Sequence, residues 1–180
     1  MLLAFHALTG SDTTSFLAGH SKKTALKVFH THGHLLEELG SEPLSSATLT
    51  DAEKFLCQVY GVSEDTTDLA RVVLFKRGLK PELLPPTSDA ARLHIMRTHL
   101  QTAVWLQANK TSPRIPKAAD MGWKQVNGKM VPTLLSMPAI PDKCIQLVTC
   151  GCSSGCANFR CRCRKQDFVV LERASVDLAA

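Results

Sequence analysis

The chain has 180 residues, of which 44% are hydrophobic and 6% aromatic, and its formal net charge is +5. This size allows one ordinary domain with a mostly aliphatic core, and the lack of an apolar run of about eighteen residues argues against a transmembrane helix and a membrane partner. The modest charge disfavours a protein that is basic over its whole surface, so we attribute the basic excess to a local patch in a cysteine-rich segment near the C-terminus. The short apolar N-terminus lacks a basic n-region, which predicts a nuclear or cytoplasmic location rather than export.

The first predicted region, residues 1–40, has the pattern of a helix, a turn and a second helix. An apolar helical segment ends at Gly10, and Asp12 follows in a polar turn as a turn or capping residue. Gly19 marks a second turn. An amphipathic helix then begins near Lys22 and Lys23, with an apolar side made of Ala25, Leu26, Val28 and Phe29.

The second predicted region, residues 41–110, contains three amphipathic helices that form a helical scaffold. Thr50 and Glu53 match a capping box that begins a helix running to about Tyr60. A second helix covers residues 68–76, with Leu69, Val72, Val73 and Phe75 directed inward. The longest helix covers residues 89–109, capped by Thr87 or Ser88. Its predicted apolar stripe is Leu93, Ile95, Met96, His99, Leu100, Ala103, Val104 and Leu106, and its predicted polar side carries His94, Arg97, Thr98 and Gln101.

The third predicted region, residues 111–143, contains five prolines, which argue against a long helix. Asn127 and Gly128 form a strong signal for a two-residue β-hairpin turn. We expect Trp123 to anchor this hairpin on the helices, with a role as a base-stacking platform as the alternative.

The fourth predicted region, residues 144–165, contains five cysteines within fourteen residues, spaced C-x-C-x3-C-x4-C-x-C. They are Cys150, Cys152, Cys156, Cys161 and Cys163. Thiolates at this density in a reducing compartment are typical zinc ligands. One tetrahedral ion needs four of them, and Cys144 could contribute another. Disulfides and unliganded thiols remain open alternatives.

The same segment is strongly basic. No acidic residue occurs between Cys144 and Gln166, and the cations are Arg160, Arg162, Arg164 and Lys165. A basic metal-binding segment is suited to contact the phosphates of nucleic acid, most simply of DNA. Residues 166–180 form a final tail without cysteine. The predicted fold class is therefore mainly α, with one small β-hairpin and an irregular, cysteine-rich, zinc-type tail.

The cysteine pattern resembles the first half of a tesmin-type CXC domain, a zinc module that binds DNA. The resemblance implies zinc at the five cysteines and DNA at the basic residues. The further cysteines of that family are replaced here by residues 166–180, so we expect a half-module.

The N-terminal region resembles the metal-and-DNA segment of flap-endonuclease-type, PIN-like nucleases. Leu8, Gly10 and Asp12 match a helix that ends in Leu-x-Gly-x-Asp, and Gly19, Lys22 or Lys23, and Ala25 match the following turn and helix. The resemblance implies that Asp12 is a remnant ligand of Mg²⁺ or Mn²⁺ and that Lys22 and Lys23 approach a DNA phosphate. A catalytic site needs several carboxylates, which would have to come from a missing N-terminal segment or a partner chain.

The order of motifs is similar, over most of the chain, to that of uncharacterised animal proteins derived from mobile elements. Their shared features are matched by residues 5–14, 22–25, 122–124, 138–141 and 150–163. Our leading hypothesis is a non-catalytic fragment that associates with nucleic acid through the zinc-cysteine segment. The alternatives are a remnant metal-dependent nuclease and an inert product of a decayed element.

Overall fold

The structure, a computed structural model, describes residues 1–135, which form a mainly helical fold with one two-stranded antiparallel hairpin. Its elements in chain order are α1 Leu2–Leu8, α2 Lys22–His32, α3 Ser46–Val59, α4 Thr67–Lys76, α5 Ser88–Leu106, β1 Trp123–Val126 and β2 Lys129–Pro132, with 3₁₀ turns at Gly33–Leu36, Pro81–Leu83 and Ala118–Asp120. These elements confirm the predicted mainly α class and the hairpin. Among the described helices, none is both long and apolar enough to cross a bilayer.

The starts of helices α2 to α5 are set by hydroxyl side chains. The capping residues Ser21, Ser45, Thr66 and Thr87 each accept a hydrogen bond from the backbone N–H three residues further along the chain. Such caps satisfy amide groups that have no partner within the helix. The predicted cap of the longest helix is confirmed at Thr87.

The predicted capping box at Thr50 is wrong. Helix α3 begins one turn earlier, at Ser46, because Ser45 caps it. The Thr50 hydroxyl lies inside the helix and donates to the carbonyl oxygen of Ser46 at 3.0 Å. Glu53 is turned away from its own helix start and accepts hydrogen bonds from Thr67 and Ser88.

The main core combines residues from both of the first two predicted regions. Its buried members come from α1, α2, α3, α5 and the connecting turns: Ala4, Phe5, Leu8, Leu17, Ala25, Leu36, Leu39, Ala52, Phe55, Leu56, Val59, Ala91 and Ile95. Phe55, Leu56, Val59 and Tyr60 are buried as predicted. A smaller cluster, Cys57, Tyr60, Val62, Ala70, Leu74 and Leu84, packs α4 and the following loop against α3.

On three helices the predicted apolar face is right at some positions and wrong at others. On α5 the buried residues include His94, Thr98 and Thr102, which the sequence placed on the polar side or left outside the stripe, whereas Leu106 is exposed. The reason is that α5 packs against both α1 and α3, and small or hydrogen-bonding side chains let these neighbours approach closely. On α2 the predicted Ala25 is buried and Val28 and Phe29 pack against the core, whereas Leu26 is exposed. On α4 the predicted Val73 and Phe75 pack against the smaller cluster, but Leu69 is exposed while Ala70 and Leu74 are buried.

The hairpin has the predicted two-residue turn. Asn127 and Gly128 have φ values of 50° and 76°, the left-handed geometry that an Asn-Gly turn provides between twisted strands. At the hairpin base, the carbonyl oxygen of Gly122 accepts from Arg97 Nη1 on α5 at 3.1 Å and from the N–H of Thr133 at 3.0 Å. The hairpin is therefore fixed to α5 next to the half-buried Trp123.

Candidate functional site

The predicted zinc ligands and the four cations of the cysteine segment lie outside the described residues. Within residues 1–135 the one cysteine is Cys57, whose side chain is fully buried in α3. Burial raises the pKa of the Cys57 thiol to about 12, and the nearby Glu53 carboxylate acts in the same direction. Since the thiolate is the form that binds metal, Cys57 is not suited to act as a ligand. Among the described residues, no group of three or more His, Cys, Asp or Glu side chains is arranged to hold a metal ion.

The N-terminal motif organises the C-terminal end of α1. The last carbonyl groups of a helix lack the usual partner four residues further on. In α1 the Thr9 N–H still donates to the Phe5 carbonyl oxygen at 3.0 Å, and the Gly10 N–H donates to that of Ala7 at 3.2 Å. Here each of the four consecutive carbonyl oxygens of residues 5–8 accepts a hydrogen bond from a side chain. The donors, in order, are Thr9 Oγ1 at 2.8 Å, Lys22 Nζ at 2.8 Å, Thr14 Oγ1 at 2.6 Å and His94 Nε2 at 2.8 Å. We call this set of contacts the α1 cap.

Hydroxyl groups, rather than the Asp12 carboxylate, form the turn after α1. The N–H of Ser11 donates to Thr14 Oγ1 at 3.1 Å, and the two hydroxyls lie 2.8 Å apart. The Thr13 hydroxyl donates to Gln101 Oε1 on α5 at 2.7 Å. Asp12 lies exposed at this bend, in agreement with a turn position. Its role as a remnant metal ligand stays a prediction.

Lys22 and Lys23 have different surroundings, although the sequence offers them as equivalent candidates. The ammonium of Lys22 lies 2.8 Å from the His6 carbonyl oxygen, 3.0 Å from Thr9 Oγ1 and 3.1 Å from His6 Nδ1. An ammonium has three N–H donors, so these contacts use its donor capacity. Partial burial of this end lowers the pKa of Lys22. Lys23 is exposed on the next position of α2. The structure thus gives Lys22 a place in the α1 cap.

His94 and His99 join α5 to the N-terminal region, and both are buried. A carbonyl oxygen only accepts, so His94 Nε2 carries the proton that it donates to Leu8. Burial lowers the pKa of His94, and the nearby Arg97 charge adds to this, whereas the Leu8 contact opposes it. Sequence patterning placed His94 on the exposed side because its partner, a backbone carbonyl of α1, leaves no local signal.

A polar cluster around Glu53 fixes the starts of α4 and α5. Glu53 Oε1 accepts from Thr67 N at 2.8 Å, Thr67 Oγ1 at 2.9 Å and Ser88 Oγ at 2.6 Å. Ser88 in turn donates its N–H to Asp68 Oδ1 at 3.1 Å. Beside the cluster lies an open cavity of about 340 Å³, lined by Ser46, Leu49, Thr50, Glu53, Ser88, Asp89, Arg92 and Ile95. These hydrogen bonds join α3 to the starts of α4 and α5, so we interpret the cluster around Glu53 as structural.

No family model matches the chain, and no curated protein or solved structure is significantly similar to it.

Proposed function

We propose that the chain binds nucleic acid without catalysing its cleavage, through a zinc-stabilised cysteine segment, and that the helical part serves as its scaffold. The observation that carries the proposal is the composition of residues 150–165. This stretch combines five cysteines with four cations and contains no acidic residue. Zinc would be held by four thiolates drawn from Cys150, Cys152, Cys156, Cys161 and Cys163. Arg160, Arg162, Arg164 and Lys165 would then contact phosphates.

The surroundings of the described groups support assigning these roles to the cysteine segment. Cys57 is buried with a raised pKa, so a thiol-dependent zinc signal would not come from it. Lys22 and Lys23 are both exposed, but Lys22 donates to the α1 cap, so Lys23 is the better candidate of the two predicted N-terminal contacts. The helical part then supplies stability, and the basic segment supplies recognition.

Metal content is the first test. Protein purified under reducing conditions should contain about one zinc ion per chain, because four thiolates complete one tetrahedral site. The triple variant Cys156→Ser/Cys161→Ser/Cys163→Ser keeps only Cys144, Cys150 and Cys152 in the cysteine segment, one thiolate short of a tetrahedral site, and should abolish zinc binding. Cys57→Ala, the matched control within the helical part, should retain it. If the wild-type protein contains no zinc and all cysteines other than the buried Cys57 react freely with a thiol reagent, the proposal is overturned. The chain would then be better explained as an inert product.

Nucleic-acid binding is the second test. The variant in which Arg160, Arg162, Arg164 and Lys165 are all replaced by Gln should bind a short DNA duplex more weakly. The dependence of log K on log salt should flatten by about 0.9 for each lost phosphate contact. Equal affinity and equal salt dependence in the variant and the wild type would contradict the proposed role of these cations.

A further inference from the structure

The basic excess of the chain is not confined to the cysteine segment. Residues 1–106 carry ten basic and eleven acidic side chains, whereas residues 107–135 carry five basic side chains and only Asp120 as an acid. The five are Lys110, Arg114, Lys117, Lys124 and Lys129, and all are exposed. We call residues 107–135 the hairpin segment. Our attribution of the positive charge to the cysteine segment alone was therefore wrong.

The strand register brings two of these cations to one face of the hairpin. Lys124 is the cross-strand partner of Val131, and Val126 is the partner of Lys129. Alternate residues of a strand share a face, so both lysines lie on the same side. They occupy diagonal positions, which are about 7–8 Å apart in an antiparallel pair. We call this side the lysine face.

The lysine face is held in place at its base. Arg97 donates to the carbonyl oxygen of Gly122, and the N–H of Thr133 closes the hairpin on the same oxygen. A side chain at Gly122 would lie 3.1 Å from the carbonyl oxygen of Leu93, so glycine permits this close approach to α5. The cations therefore project from a fixed, exposed platform and not from a free chain end.

We propose that the lysine face is a zinc-independent contact for the phosphate backbone of nucleic acid. The inference rests on the proposed function for the identity of its partner, and it adds a second contact that the cysteine pattern does not supply. Clustered cations attract phosphates irrespective of base sequence, and the five cations of the hairpin segment outnumber its one acid, Asp120.

The choice of nucleic acid over an anionic membrane follows from the proposed function, because both faces of the hairpin carry apolar side chains. Val126 and Met130 are both 44% exposed, but the register places them on opposite faces of the hairpin. The turn between them is the polar pair Asn127 and Gly128. Val131 joins Val126 on the lysine face, and Trp123, Met130 and Pro132 lie on the other. An amphipathic surface of this kind could also meet a bilayer, so binding to anionic vesicles is the competing outcome that the test measures.

The test compares Lys124→Gln/Lys129→Gln with Lys76→Gln/Lys80→Gln in the full chain. The second pair is the matched control, because both of its lysines are exposed at or after the end of α4. Binding of a labelled mixed-sequence DNA duplex is followed by fluorescence anisotropy between about 50 and 200 mM salt. The hairpin variant should lose on the order of ten-fold in affinity, with a salt slope flatter by about 2. The control should bind as the wild type does.

Zinc removal separates this inference from the proposed function. The effect of Lys124→Gln/Lys129→Gln should persist in a Cys156→Ser/Cys161→Ser/Cys163→Ser background, where too few thiolates remain for the zinc site. If the triple cysteine variant leaves DNA binding unchanged while the hairpin variant weakens it, the proposed role of the cysteine segment fails and the lysine face stands. If the hairpin variant binds like the wild type, or if neither protein binds DNA, the inference is overturned. It is also overturned if the lysines are needed only for binding to anionic phospholipid vesicles.

Discussion

The backbone N–H of Gly40 donates a hydrogen bond to Nδ1 of the fully buried His99 at 3.1 Å. This contact requires Nδ1 to be unprotonated, so the proton of the neutral ring is on Nε2. That nitrogen faces Glu42 Oε1 at 3.4 Å. Protonation of Nδ1 would place two N–H groups against each other, which makes the joint between α5 and the Gly40 turn sensitive to acid.

We therefore predict that the free energy of unfolding falls as the pH falls below about 6.5, the ordinary pKa of histidine. Burial lowers the pKa of His99, against the opposing effect of Glu42, and burial also lowers the pKa of His94. Below about pH 6.5 the unfolded chain binds more protons than the folded chain, so stability declines until the pH reaches the folded-state values. The decline is at most about 1.4 kcal/mol per pH unit for each histidine.

Urea unfolding across this pH range tests the prediction. His99→Gln should reduce the slope of stability against pH, although it also lowers stability at neutral pH. His30→Gln, at an exposed position on α2, is the matched control for replacing a histidine. A slope that is the same in His99→Gln and in the wild type would show that His99 does not contribute.

Local signals in the sequence predict the helices and the hairpin better than the faces that they bury. The cap at Thr87 and the turn at Asn127 and Gly128 depend on a few adjacent residues, and both are confirmed. The burial of His94 depends on the Leu8 carbonyl group, 86 positions away in the chain. A pattern of apolar residues contains no information about that partner, and so it assigned His94 to the wrong face.

The candidate site shows the same difference between what local sequence predicts and what only the folded structure shows. Lys22 and Lys23 are adjacent in sequence, and only the approach of α2 to the end of α1 shows that Lys22 donates to His6 and Thr9. The charge of the hairpin segment, in contrast, was available from a count of residues along the chain. The sequence prediction placed the basic excess at residues 150–165 instead, where the cysteine pattern indicates a binding segment.

Lys22 and Lys23 are predicted to differ in how much they contribute to stability. Lys22→Met should lower the free energy of unfolding by about 1 kcal/mol, because it removes a cation that donates to a carbonyl group at a helix C-terminus. Lys23→Met should change it by less than about 0.5 kcal/mol, as is usual for an exposed position. Thermal and urea unfolding of both variants test this contrast. Equal losses would show that the contacts of Lys22 with the α1 cap are unimportant.

Glu53 should be more important for stability than its partly exposed position suggests. Glu53→Ala removes the acceptor for the N–H and hydroxyl of Thr67, a residue that is fully buried. Leaving such groups unpaired costs about 1–3 kcal/mol each, so we expect a loss of about 2–4 kcal/mol. Asp65→Ala is the comparison, since its 3.3 Å ion pair with Lys54 is largely exposed and worth at most about 1 kcal/mol. Similar losses in the two variants would contradict the role of Glu53 as a joint between helices.

Gly40 should be much less replaceable than Gly61, another glycine of the described helical part. It has a φ of +94°, and an added Cβ would lie 2.6 Å from Cγ2 of Thr102 and 2.9 Å from Cδ1 of Leu106. Gly61 has a φ of +75° but no atom within 4 Å of the added Cβ, so Gly61→Ala measures backbone strain alone. We predict losses of about 1–2 kcal/mol for Gly61→Ala and about 2–5 kcal/mol for Gly40→Ala, where strain and overpacking combine.

A second-site substitution tests whether the contact with Thr102 causes the larger loss. Thr102→Ser removes Cγ2 but keeps the hydroxyl that donates to the Thr98 carbonyl oxygen at 2.8 Å. In the Gly40→Ala/Thr102→Ser double variant, the free energy of unfolding should therefore exceed the value expected from adding the two single losses. Strict additivity would mean that backbone strain at Gly40, and not its packing against α5, accounts for the destabilisation.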